Sequence, residues 1–123
     1  LEEWSAARRR NAAYYNEAFA DLADVRTPVI DERNESIYNQ YTLRVPGRDA
    51  LLDYLKQRQI GAAVYYPLPL HLQPCFAYLG YSEDAFPIAE AAAKEVLSLP
   101  VYPELTPAQL DQVAAAVRSF FQN

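Results

Sequence analysis

The stretch Ile37-Tyr38-Asn39-Gln40-Tyr41-Thr42-Leu43-Arg44-Val45 (IYNQYTLRV) predicts the central strand of the fold. It alternates along its length and is rich in aromatic and β-branched residues, as half-buried strands are. The pleat of a strand places successive residues on opposite faces. One face carries Ile37, Asn39, Tyr41, Leu43 and Val45, and the other carries Tyr38, Gln40, Thr42 and Arg44. Asn39 and Gln40 are therefore expected to point to opposite sides of the sheet.

Elements on both sides of this strand complete the plan of the domain. Apolar residues at helical spacing predict four helices, over residues 4–22, 48–58 and 87–97 and from Pro107 to the end. The second is expected to end near Gly61. Two short apolar runs, residues 27–30 and 62–65, predict further strands. The order indicates an α+β fold: a small, mainly antiparallel sheet with helices packed on one face.

The last helix has the clearest start signal. Thr106-Pro107-Ala108-Gln109 places Thr at the N-cap, Pro at the first helical position and Gln three residues after the cap. This spacing is a capping box, in which the two side chains satisfy each other's backbone N–H groups. We therefore predict that this helix begins at Pro107.

Composition limits the kind of protein this is. The chain has 123 residues, one domain's worth, and a net charge of −5, which disfavours direct binding to nucleic acid. One His and one Cys make a metal site improbable. No apolar run approaches the roughly 20 residues that span a bilayer, and no signal peptide opens the chain. A cytoplasmic protein that binds neither nucleic acid nor membrane is expected.

Residues 64–76 (VYYPLPLHLQPCF) stand out as a binding loop. Pro67, Pro69 and Pro74 each fix a backbone φ angle, so Tyr65, Tyr66 and the only imidazole, His71, lie on a stiffened backbone. The loop is too apolar to be disordered. A lone His is more often a structural residue than a ligand contact, and the loop alone leaves both interpretations of His71 open.

Three motifs in the right order carry a resemblance to a known family. Residues 64–76, the later Phe86-Pro87-Ile88-Ala89-Glu90 and the stretch 97–106 (LSLPVYPELT) resemble the C-terminal part of the DegT/DnrJ/StrS family. Its members are fold-type I sugar aminotransferases that depend on pyridoxal 5'-phosphate (PLP). The resemblance implies that residues 1–123 form one C-terminal small domain, like that of fold-type I PLP-dependent transferases.

The resemblance also implies a substrate and a site. The parent enzyme would transfer an amino group from an amino acid, with glutamate as the expected donor, to a nucleotide-linked keto-sugar, in the biosynthesis of amino sugars for surface polysaccharides or natural products. It would act in the cytoplasm as a homodimer. Five residues are implied as substrate contacts, and none of them as catalytic: Tyr65, Tyr66, His71, Asn39 and Gln40.

The family's PLP-binding residues belong to a large N-terminal domain that we expect to be missing here. Lys56 and Lys94 are the only lysines, and both have polar neighbours in predicted helices, unlike the desolvated lysine that PLP requires. The chain alone is therefore expected to be inactive. Cys75, beside Pro74, is expected to be a small apolar filler. The alternative function is a non-catalytic carbohydrate-binding, protein-interaction or regulatory module.

Overall fold

The computed structural model describes residues 1–122. Four α-helices and two strands follow one another along the chain, with two short 3-10 helices between the second and third α-helices. Their bounds are α1 Glu2–Ala18, β1 Tyr41–Arg44, α2 Arg48–Gln57, 3-10 helices Leu70–Leu72 and Pro74–Leu79, α3 Pro87–Glu95, β2 Val96–Leu99 and α4 Pro107–Gln122. No helix in this part of the chain is long and apolar enough to cross a bilayer.

The sheet has two antiparallel strands, β1 and β2, with Tyr41 opposite Leu99 and Leu43 opposite Leu97. Single bridging residues extend it on either side: Arg26 pairs with Arg44 of β1, and Ala63 pairs with Ser98 of β2. The full strands predicted at residues 27–30 and 62–65 are therefore wrong. Pro28 removes a backbone donor from the first run and Gly61 and Pro67 flank the second, so neither sustains a ladder.

The helix predicted over residues 87–97 is too long at its C-terminal end. α3 stops at Glu95, and Val96 and Leu97 open β2 rather than lying on the inner face of a helix. The carbonyl of Glu95 accepts a hydrogen bond from the backbone N–H of Val45 at 3.0 Å. Pairing with β1 therefore uses the backbone hydrogen-bonding groups from Glu95 onward, which a longer helix would have needed.

One face of the sheet carries the hydrophobic core. Tyr41 and Leu43 of β1 and Leu97 and Leu99 of β2 are buried against α1, α2 and α4. The largest contributions from the helices come from Tyr15, Leu51, Leu55, Val113 and Val117, together with Phe19 directly after α1. The α+β prediction, with helices packed on one face of a small antiparallel sheet, is confirmed.

The first and last helices pack side by side. The hydroxyl of Tyr14 donates to Asp111, near the start of α4, and the Arg118 guanidinium binds Asp21 and the carbonyl of Ala18 further along. These contacts advance in the same direction on both helices, so α1 and α4 run parallel. The Arg118 guanidinium also lowers the pKa of the Asp21 carboxyl.

The N-terminus of α4 matches the sequence prediction. The backbone N–H of Thr106 donates to Gln109 Oε1 at 2.9 Å, and the N–H of Gln109 donates back to Thr106 Oγ1 at 3.3 Å. The capping box is confirmed, and it fixes the start of the helix at Pro107.

The end of α2 differs from the sequence prediction. Its left-handed residue is Gln59, with φ of 58°, and not Gly61. The N–H of Gln59 donates to the carbonyl of Lys56, and the N–H of Ile60 donates to the carbonyl of Leu55, both at 3.0 Å. This pattern is a Schellman motif with a side chain at the position that usually carries Gly.

Gln59→Gly is therefore expected to stabilise the chain. Relief of left-handed strain is worth roughly 1–2 kcal/mol, and the greater freedom of Gly in the unfolded chain returns part of it. We expect a net gain of about 0.5–1 kcal/mol, measured by urea unfolding. Gln57→Gly, inside the last helical turn, is the matched control and should destabilise by about 1 kcal/mol. A loss of stability in the Gln59 variant would contradict the strain argument.

Candidate functional site

The irregular segment between Ala63 and α3 presents many apolar side chains at the surface. It is ordered by two 3-10 helices, each preceded or begun by a proline: Pro69 before Leu70–Leu72, and Pro74 at the start of Pro74–Leu79. Several large apolar side chains of this segment remain exposed: Tyr65, Tyr66, Leu68, Leu70, Tyr78, Leu79, Tyr81 and Phe86. A stiff backbone thus presents rings outward, as the sequence predicts for a binding loop.

Tyr65 and Tyr66 lie where this segment leaves the sheet. They are 44% and 70% exposed, their ring centroids are 5.7 Å apart in an edge-to-face arrangement, and the peptide bond between them is cis. Each phenol therefore offers an apolar ring and a hydroxyl to a ligand at the surface.

His71 lies beneath this surface. Its side chain is 7% exposed, its Nε2 is 2.9 Å from Glu90 Oε1, and its ring contacts Phe86 edge-to-face with centroids 4.9 Å apart. The imidazole is therefore held by a carboxylate from α3 and an aromatic ring. These contacts fit the interpretation of His71 as a structural residue. His71 is also among the residues that line a groove described below, so a contact with ligand stays open.

Glu90 is the residue whose role the sequence reasoning did not identify. Its carboxylate accepts the backbone N–H of Asp84 at 3.0 Å and that of Phe86 at 3.2 Å, besides the bond to His71. These donors, the Asp84 N–H foremost, lower the pKa of the Glu90 carboxyl against the opposing effect of burial. A Glu in the first turn of a helix that starts with Pro87 was the available signal, because such residues often reach back to free N–H groups.

Two grooves meet at Tyr65. The polar groove, of about 730 Å³, runs between α1, the turn before β1 and α4, and Arg8, Asn39, Gln40, Gln59 and Gln112 are among its lining residues. The apolar groove, of about 610 Å³, lies between the Tyr65–Tyr66 pair and α3. Tyr66, His71, Phe86 and Ala93 are among the residues that line it. Among residues 1–122, Tyr65 alone lines both of these grooves.

Asn39 and Gln40 belong to the polar groove but not to the strand. β1 begins only at Tyr41, and both amide residues are exposed in the bend before it. Arg8 holds the bend, since its guanidinium donates to the carbonyls of Asn39 at 3.2 Å and Tyr38 at 3.4 Å. The prediction that the two side chains lie on opposite faces of a pleat is therefore wrong. The structure instead brings both to the groove that Tyr65 also lines.

The polar groove carries little charge. Arg8 is the one charged residue among those that line it in the described chain, and the rest of its polar lining is amide and hydroxyl groups. Such a lining donates and accepts hydrogen bonds without carrying a negative charge. It suits a polyhydroxylated or weakly anionic ligand better than a cation.

Lysine and cysteine do not add a reactive centre. Lys56 and Lys94 are both exposed on helices, so residues 1–122 supply no desolvated lysine to hold PLP covalently, and the cofactor does not fit on these residues alone. Cys75 is also exposed, so its prediction as a small apolar filler is wrong. No group of three His, Cys, Asp or Glu side chains within the described residues gathers to hold a metal ion.

Comparisons with known proteins give one consistent family. The model of the DegT/DnrJ/EryC1/StrS aminotransferase family matches residues 1–118. The pleiotropic regulatory protein of Geobacillus stearothermophilus is 46% identical, over 100% of this chain and 34% of that protein. The dTDP-3-amino-3,4,6-trideoxy-alpha-D-glucose transaminase of Micromonospora megalomicea is 36% identical, over 96% of this chain and 33% of that protein.

Solved structures agree with the sequence comparisons. The crystal structure of DesV from S. venezuelae superposes with a TM-score of 0.97 at 34% identity, covering 100% of this chain and 33% of that one. The chain thus spans about a third of the length of the relatives it matches.

Proposed function

Because the chain belongs to the DegT/DnrJ/EryC1/StrS aminotransferase family, we propose that it is the C-terminal small domain of a PLP-dependent aminotransferase acting on a nucleotide-linked keto-sugar. PLP would be bound by another part of the protein, since residues 1–122 supply no lysine suited to it. When bound there, it supplies the electron sink for amino-group transfer. We propose glutamate as the amino donor and a cytoplasmic homodimer as the assembly. The chain alone is proposed to have no aminotransferase activity.

The observation that carries this proposal is the meeting of the two grooves at Tyr65. An exposed phenol pair beside a groove lined by amides suits a sugar ring, because aromatic faces pack on its C–H groups while amides bond its hydroxyls. We assign Tyr65, Tyr66, Asn39 and Gln40 to contact with the substrate. We also keep His71 among the proposed substrate contacts, because it lines the apolar groove while its Nε2 is bound to Glu90.

Tyr66→Ala is expected to weaken nucleotide-sugar binding about tenfold in the complete gene product, since it removes an exposed ring from the groove wall. Calorimetric titration with dTDP-glucose and UDP-N-acetylglucosamine, both stable hexose probes, measures the loss. Tyr78→Phe and Tyr78→Ala are matched controls, because Tyr78 is 79% exposed and lies outside both grooves. If Tyr66→Ala and His71→Ala both bound these probes as tightly as the parent, the site assignment would be wrong.

A second function has one observation in its favour. The relative that is 46% identical is named a pleiotropic regulatory protein. A regulatory or carbohydrate-binding module would keep the grooves but lack cofactor chemistry. The absorbance band of PLP in the complete gene product, bleached on mixing with glutamate, distinguishes the two: its presence supports the aminotransferase, and its absence supports the module.

A further inference from the structure

The Glu90 carboxylate joins the start of α3 to the turn just before it and to the first 3-10 helix, 19 residues earlier. Its Oε1 bonds to His71 of the first 3-10 helix and to the N–H of Phe86, and its Oε2 accepts the N–H of Asp84. Glu90 itself is in the first turn of α3 and is 8% exposed. A charged acceptor that is buried with three donors resists any movement of those donors.

We propose that Glu90 is a positioning residue for the substrate site: it holds the imidazole of His71 with the proton on Nε2, and so fixes the part of the apolar groove that His71 contributes beside Tyr65 and Tyr66. This inference rests on the proposed function, because it assumes that the tyrosine pair contacts substrate. Glu90 reaches no substrate in this scheme. It acts through His71, which lines the apolar groove together with Tyr65 and Tyr66.

The geometry fixes the tautomer. A carboxylate oxygen with its negative charge only accepts, so a neutral imidazole 2.9 Å away must present a donor, which places its proton on Nε2 and leaves Nδ1 as the acceptor. A structural filler at position 90 would hold the helix in place without selecting either nitrogen. The tautomer therefore separates positioning from simple packing.

Glu90→Gln removes the charge with little change in size. A glutamine offers only one acceptor oxygen. Its NH₂ group would face either the N–H of Asp84 or the N–H of Phe86, and in both orientations two donors would oppose each other. At least one of the three bonds is lost. Glu90→Asp keeps the charge with a shorter reach and serves as the conservative variant. Glu83→Gln is the matched control, since Glu83 is exposed and gives up the same charge nearby.

The test reads the single imidazole directly. His71 is the only histidine of the chain, so ¹⁵N-labelled imidazole signals need no further assignment. At a pH where the ring is neutral, we expect the unmodified chain to show Nε2–H with Nδ1 unprotonated. Glu90→Met, which is of similar size and offers no acceptor oxygen, should shift the population toward Nδ1–H, whereas Glu90→Asp and Glu83→Gln should keep Nε2–H predominant. A predominant Nδ1–H tautomer in the unmodified chain overturns the inference.

The functional arm uses the complete gene product and the same two hexose probes. We expect Glu90→Gln to weaken their binding about tenfold, as loss of a charge-assisted hydrogen bond would. If Tyr66→Ala weakens binding and Glu90→Gln does not, the inference is overturned and the proposed function stands. If neither Tyr66→Ala nor His71→Ala affects binding, the site assignment fails, whereas the tautomer result still tests how Glu90 holds His71.

Discussion

Leu97→Ala is expected to lower the free energy of unfolding by about 2–5 kcal/mol, the range for truncating a fully buried leucine. Leu97 is 0% exposed and lies in the centre of β2, opposite Leu43, where the sheet meets α2 and α4. Its removal leaves a cavity that a two-stranded sheet held by antiparallel pairing cannot easily close. The measurement is urea unfolding of the chain, followed by circular dichroism.

Ile88→Ala is the control for that experiment. Ile88 is an aliphatic residue of similar size, 81% exposed on α3, and its truncation should change stability by less than about 0.5 kcal/mol. Equal losses in the two variants would show that Leu97 is not a core residue, and that the strand assignment of residues 96–99 is wrong.

Tyr41→Ala should be as damaging, with a loss of about 3–5 kcal/mol, because it empties the place of a buried aromatic ring. Tyr41 is fully buried, its ring lies 5.1 Å from that of Tyr15, and its hydroxyl donates to Asn16 Oδ1 at 2.7 Å. Burial also raises the pKa of this phenol, so the hydroxyl keeps its proton and remains a donor at neutral pH.

Tyr41→Phe separates the ring from the hydroxyl. It keeps the packing and removes one hydrogen bond to a partly buried amide, so it should cost only about 1 kcal/mol. Thermal unfolding of both variants gives the comparison. A Phe variant that loses as much stability as the Ala variant would mean that the bond to Asn16, and not the ring packing, anchors β1.

Local signals in the sequence predict much of this fold. The alternation in residues 41–45 places Tyr41, Leu43 and Val45 in the core, as the structure confirms. The capping box at Thr106 fixes the start of α4. In both cases the physical cause lies within a few residues: a pleat of period two in one and a pair of side chains three apart in the other.

The errors occur where a distant partner decides. No Gly or Pro lies at the boundary between Glu95 and Val96, so no local signal marks the end of α3. The helix ends there because the backbone next to β1 bonds to the carbonyl of Glu95. In the same way, Asn39 and Gln40 fit a strand pattern, but Arg8, some 31 residues earlier, holds them in a bend.

The candidate site was only partly predictable for the same reason. The proline-rich loop marks Tyr65, Tyr66 and His71, because proline and aromatic residues are visible in one short stretch. The bond from His71 to Glu90 joins residues 19 apart through two 3-10 helices and a turn. The polar groove gathers residues from α1, the bend before β1 and α4, which no spacing along the chain reveals.

The parallel pairing of α1 with α4 has a consequence for how the chain is made. The contacts between Tyr14 and Asp111 and between Asp21 and Arg118 each close about 97 residues of chain. Such long closures carry a high contact order and slow the search for the native state. On the ribosome, the face of α1 that α4 covers stays exposed until α4 emerges from the exit tunnel, so we expect this face to be open to non-native contacts during synthesis.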